Sequence, residues 1–376
     1  MSRQKGKDPI RVMAVITAVL AALAVVMMLA GNALNGYRQS VLAARKAEVE
    51  KINAERDAEY ALALSEYEQQ RQTGTNLAWP MQKAEGWDVV DLTNYPLEDA
   101  QQVVMQRADV MNNGMLLVNE WHSRPEDFDE STMVSVGNYT DWKIGVTDSS
   151  VQMFPVAVDA VMAAVNDAAA LGLQNYMIDE GYRTYEQQNT IFQKYVDKYK
   201  ENLSGDDLIA RAKKDANYPG TSEFNSGLSF TMKLYKRGDA AITGSNYVET
   251  PEGVWMNENC WRYGLIFRFP KADFPLKGTA DKSYKTGVSV SLRCYRYVGK
   301  GNAAVMQTLG LCLEEYIEYL QEHPHIAVFE DGVLRYEIVR QYVGDATSFE
   351  VNIAGNAARY TSSLDNMGYV VTVLEY

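Results

Sequence analysis

The chain has 376 residues, a formal net charge of -13 and an isoelectric point near 4.9. That balance excludes the basic footprint that nucleic-acid binding requires. Three cysteines in such a length exclude a disulfide framework, although an exported protein could hold one bridge.

The first eleven residues form a basic tail with Arg3, Lys5, Lys7 and Arg11. Residues 12–34 carry no charge and consist mainly of Ala, Val, Leu, Ile and Met, long enough to span a bilayer as a helix of about 20 residues. The positive-inside rule then puts the N-terminus in the cytoplasm and everything after Leu34 outside, in a single-pass cell-membrane protein held through Val12 to Leu34. A cleaved signal peptide shares the basic flank and apolar run, with Ala30-Gly31-Asn32-Ala33 as its cleavage site. Residues 35–76 follow as a helical stalk, since Tyr37 to Gln72 contains no Pro or Gly and is rich in strong helix formers. Fully helical, it would extend about 50 Å. Its apolar positions hold no single heptad, so a solvated stalk and a homo-oligomeric coiled coil both stay open.

Residues 77–322 mix short apolar runs with helical stretches and lack a regular βαβ alternation, which predicts an α+β domain. Helices are expected over Pro155 to Leu171, Tyr185 to Lys200 and Asn302 to Gln321. Strands are expected over Met115 to Asn119, Tyr176 to Asp179, Leu228 to Leu234 and Leu265 to Phe269. In residues 323–376, Ile326 to Phe329 and Val333 to Ile338 flank Asp331-Gly332 and predict a hairpin. With Phe349 to Ile353 and Tyr369 to Leu374 they make a small C-terminal β appendage.

The segment Ser222-Glu223-Phe224-Asn225-Ser226-Gly227-Leu228-Ser229-Phe230-Thr231 resembles the metal-binding motif Ser-x-His-x-x-Gly-x-Ala-x-Asp of the zinc D-alanyl-D-alanine carboxypeptidases of the vancomycin-resistance type. Gly181-Tyr182-Arg183-Thr184-Tyr185-Glu186-Gln187-Gln188 is similar to that family's Gly-Tyr-Arg-Ser-Tyr-x-x-Gln, and Arg296-Tyr297-Val298-Gly299 to the end of its Glu-Pro-Trp-His-x-Arg-Tyr-Val-Gly signature. The resemblance runs from about Met115 to Gln321 in the family's order. It implies the fold shared by D,D-peptidases and Hedgehog signalling domains.

Aligned this way, the chemistry is missing. Phe224 and Thr231 stand where the family has its zinc-binding His and Asp, Cys294 where it has the third ligand, Ser291 where it has the general base, and Arg293 where it has Trp. A catalytic zinc needs about three protein ligands, and a Ser hydroxyl is too weakly basic to replace the Glu. The expectation is therefore a degenerate member without zinc or any other cofactor, and without catalytic residues. A rebuilt site from Cys294, Cys260 and Glu223 is the competing chemistry. Phe224 is expected to fill the vacated metal cavity.

Arg183, Gln188 and Ser222 keep the family's identities. They either line a surviving peptide cleft, where a guanidinium fork suits a carboxylate, or hydrogen-bond within the fold. Cys260 and Cys294 either pack as free thiols or form a bridge replacing the metal. The expected function is a membrane-anchored, extracytoplasmic pseudopeptidase that binds or scaffolds in cell-envelope processes, its partner a peptidoglycan stem peptide or an envelope protein. An active D,D-carboxypeptidase with unusual ligands is the alternative.

Overall fold

The structure, a computed structural model, describes residues 86–376 and, before them, positions 20, 23, 25–29 and 40, all helical and exposed. Among the described residues no helix is long and apolar enough to cross a membrane. The basic tail, most of the expected span 12–34 and almost all of the stalk 35–76 lie outside them. The described residues 86–376 belong to one compact unit.

Two five-stranded sheets organise that unit. The strands are β1 (Trp87–Asp91), β2 (Gln101–Gln106), β3 (Val134–Ser135), β4 (Gly145–Val146), β5 (Gln152–Met153), β6 (Tyr176–Glu180), β7 (Ser229–Leu234), β8 (Leu265–Phe267), β9 (Cys294–Tyr297), β10 (His325–Glu330), β11 (Val333–Tyr342), β12 (Ser348–Ile353), β13 (Arg359–Leu364) and β14 (Tyr369–Glu375). The central sheet has the order β4-β6-β7-β9-β8, antiparallel except for the β4–β6 pair. The outer sheet has the order β1-β10-β11-β14-β13 and is antiparallel throughout. Two smaller ribbons pair β12 with β2 and β3 with β5.

The helix Pro155–Ala170 begins with Pro at its first position, where the missing N–H costs nothing. Ala157, Ala160, Val161, Ala164 and Ala168 are buried at helical spacing. These small side chains let it settle closely in the core of the central sheet, with Ile178, Phe230 and Tyr295.

Two expected elements differ. Met115 to Asn119 is buried but joins no sheet, its one backbone bridge running locally from Asn119 to His122. Side chains satisfy its backbone instead: Ser363 Oγ accepts from the Met115 amide at 2.8 Å, and Arg296 Nη2 donates to the carbonyls of Gly114 and Leu116 at 2.7 and 2.8 Å. Asn302 to Gln321 is two helices, Lys300–Leu309 and Leu313–Glu322. Gly310 sits at φ +67° and ends the first, and Glu315 caps the second by accepting from the Cys312 amide at 2.9 Å.

The hairpin between β10 and β11 turns at Asp331 and Gly332, both at positive φ, as a type I′ turn requires. The C-terminal strands take β1 as an edge strand, Asp91 pairing with Ile326. Residues 323–376 are thus built into the same unit as the peptidase-like part.

His325 fastens this sheet. Its Nε2 lies 2.5 Å from Glu337 Oε1, and its Nδ1 lies 2.9 Å from the Tyr95 carbonyl. Burial pushes the imidazole pKa down, but the Glu337 carboxylate and the Tyr95 carbonyl outweigh it and hold the pKa above its ordinary value. A raised folded-state pKa gives stability that is complete below the unfolded value of about 6.5 and lost as pH rises through the folded value. Denaturation midpoints should therefore fall as pH rises above the unfolded value of about 6.5, and His325→Gln should flatten that slope. An unchanged slope in the variant would place the dependence on another group.

Candidate functional site

The central sheet brings the motif positions together. Glu180 pairs with Thr231 across β6 and β7, and Thr231 pairs with Cys294 across β7 and β9, so the three form one row over adjacent strands. The turn Glu223–Ser226 carries Phe224 to this row, and Gly227 at φ +69° reverses the chain into β7. A Cβ at Gly227 would lie 2.3 Å from Met133 and 2.8 Å from Phe154, so only glycine fits there. Phe224, Phe269 and Cys294 form a buried cluster, against which Val288 and Leu292 pack.

Ligand chemistry at these positions is poor. Phe224 offers no donor, Thr231 is buried, and Ser291 is exposed. Burial, and then the nearby charge of Glu223, pushes the Cys294 thiol well above its ordinary pKa, and its side chain is packed among Phe224 and Phe269. The residues at these four positions do not fit a zinc ion. Among the described residues no group of three His, Cys, Asp or Glu gathers where it could hold a metal.

Arg183 lies over this cluster, its guanidinium carbon 4.3 Å from the Phe224 ring centroid. Its Nη2 donates to Glu180 Oε2 at 2.6 Å, its Nε donates to Glu180 Oε1, and its Nη1 donates to Gln188 Oε1 at 3.1 Å. Gln188 is buried and also donates to the Asn217 carbonyl at 2.8 Å. Ser222 is buried, its amide donating to Asn225 Oδ1 at 3.2 Å. The three residues that keep the family identities are thus all engaged inside the fold. Glu180, which sequence reasoning missed, neutralises the one cation of the group. Its only signal was an acid just past the end of the expected strand Tyr176 to Asp179, three residues before Arg183.

Behind the row lies a buried ionic network. Glu223 Oε2 accepts from Arg268 Nε at 2.7 Å, and Oε1 accepts from Ser229 Oγ at 2.6 Å and from Arg296 Nη1. Arg268 also forks onto Glu314 at 2.6 and 2.9 Å, and Asn119 donates to Glu314 at 3.1 Å. Both arginines are fully buried. Burial pushes the Glu223 carboxyl up, but Arg268 and Arg296 overcome it and hold its pKa at about 2.

In this structure Glu223 is committed to two guanidinium groups rather than gathered with Cys294 and Cys260 as the rebuilt site would need. Cys260 packs in the main core of the central sheet, apart from the Cys294 cluster. Both are free thiols, so the considered bridge is not formed. The three histidines are bonded elsewhere: His122 to Asn119, His323 to Asp91 and His325 to Glu337.

A family model described as VanY, D-alanyl-D-alanine carboxypeptidase, matches residues 150–300. The chain is 29% identical over 279 residues to a D-alanyl-D-alanine carboxypeptidase of Enterococcus faecium, covering 73% of this chain and 80% of that protein. It is 30% identical over 224 residues to a D-alanyl-D-alanine carboxypeptidase of Enterococcus faecalis, covering 59% and 72%. Among solved structures, the vancomycin-resistance D,D-dipeptidase VanXYg, in complex with a D-Ala-D-Ala phosphinate analog, aligns with a TM-score of 0.53 at 22% identity. That alignment covers 73% of this chain and 99% of that one, and it carries the fold alone. Sequence and fold thus agree: the chain belongs to the VanY family of D-alanyl-D-alanine carboxypeptidases.

Proposed function

We propose that this family member is a pseudopeptidase, its hydrolytic centre replaced by packing, acting as a scaffolding module in peptidoglycan-related envelope processes. The observation that carries the reading is the Phe224 cluster. An aromatic ring occupies a ligand position, packs with the buried cysteine at another, and lies under an arginine already paired with Glu180. Because Arg183, Gln188 and Ser222 are bonded within the fold, recognition of a partner protein is favoured over capture of a stem peptide at the old cleft. The uncharged run 12–34, with its basic flank, supports anchoring in the cell membrane with the folded unit outside.

The names of the two Enterococcus relatives favour a second reading, an active carboxypeptidase with unusual ligands. One measurement separates the two. The purified full chain should carry no stoichiometric zinc and release no D-alanine from peptides ending in D-alanyl-D-alanine. One zinc per chain with chelator-sensitive release would establish the second reading and end the first.

A further inference from the structure

Away from this site, a cleft of about 330 Å³ opens beside the outer sheet, at the small end of the range for ligand pockets. Trp87 of β1 meets Trp261 edge-on, with 5.4 Å between centroids, and lies within 18° of parallel to Tyr336 of β11 at 6.4 Å. The three rings make one wall of the cleft.

Charge surrounds that wall unevenly. Glu330 and Arg335 pair with each other at 2.9 Å. Arg262, Lys300 and Glu375 also line the cleft, and among the described residues none of the three is in an ion pair. Arg262 and Lys300 are exposed, and the Arg262 guanidinium lies 4.5 Å from the Trp261 ring centroid. Glu375 is cross-strand partner to Tyr336 on one side and to Arg359 on the other, without an ion pair to that arginine among the described residues; burial, and then the Glu375 charge, raises the Tyr336 phenol's pKa.

Two unpaired cations and one unpaired carboxylate around an aromatic wall complement a ligand carrying both signs. We propose that this cleft binds a small zwitterion, an amino acid or dipeptide with a free ammonium and a free carboxylate. The carboxylate would take Arg262 and Lys300. The ammonium would take Glu375 and a ring face. A purely anionic ligand would meet Glu375 as a repulsion, and a long polymer would exceed the volume. The inference stands whether or not the chain hydrolyses peptides.

The test is titration of the full chain with L-alanyl-L-alanine, following the indole N–H resonances of Trp87 and Trp261. The free dipeptide should produce a saturable shift, with its N-acetylated and C-amidated forms about tenfold weaker or more. Lys300→Gln should weaken the free dipeptide but leave the amide unchanged, and Glu375→Gln should do the same for the N-acetyl form. Arg183→Ala should change nothing, which separates this cleft from the Phe224 site. Equal binding of free and blocked dipeptides, no saturable shift at these two indoles, or loss of binding in Arg183→Ala would each overturn the proposal.

Discussion

Glu223→Gln is expected to destabilise the folded unit by about 3 to 5 kcal/mol, the range for removing one partner of a buried ion pair. The neutral amide would leave Arg296 without its carboxylate and reduce Arg268 to Glu314 alone, with both guanidinium groups still out of water. Because the cost comes from the stranded charge, Glu223→Gln combined with Arg296→Gln should cost less than the sum of the two single changes. Additive losses in urea denaturation would show that the pair is not coupled. The same network gives a sign for acid sensitivity. Glu223 has a depressed folded-state pKa of about 2, so its contribution is present above the unfolded value of about 4.3 and is lost as pH falls through the folded value. Wild-type stability should therefore drop between about pH 4 and pH 2, and the Gln variant should lose part of that drop.

Phe224→Ala should cost about 3 to 5 kcal/mol, as other buried Phe truncations do. The ring fills the space between Cys294 and Phe269 and forms the surface on which Arg183 lies. Phe224→His is expected to restore neither zinc nor hydrolysis, since Thr231, Ser291 and Cys294 still supply no adequate ligand set or base. A soluble Ala variant with an unchanged denaturation midpoint would show that the ring does not hold this site together.

The convergence of the motif positions was legible in the sequence because each motif is local and its strand register is forced. A slip of one residue in β7 would turn its buried face outward. The apolar character of Phe224 likewise told where it would pack. The ionic network was not legible, because Glu223, Arg268, Arg296 and Glu314 lie in separate segments of the chain and nothing local to any of them names its partners. Glu180 was hidden for the same reason, its meaning set by the bulge that aligns it with Thr231. The break at Gly310 was missed because the amphipathic pattern continues across it. Met115 to Asn119 reads as a strand by composition, yet it exchanges hydrogen bonds with side chains and loop backbone rather than with a neighbouring strand.

The pairing of β1 with β10 sets the order in which the unit can be completed during synthesis. Asp91 must wait for Ile326, 235 residues later in the chain. At about 5 to 20 residues per second that delay is on the order of tens of seconds. The central sheet, whose strands all lie between residues 145 and 297, can assemble in the interval. Throughout it, β1 is a nascent strand with an unpaired backbone and an uncovered Trp87, a segment inviting aggregation or chaperone capture until β10 reaches the same compartment.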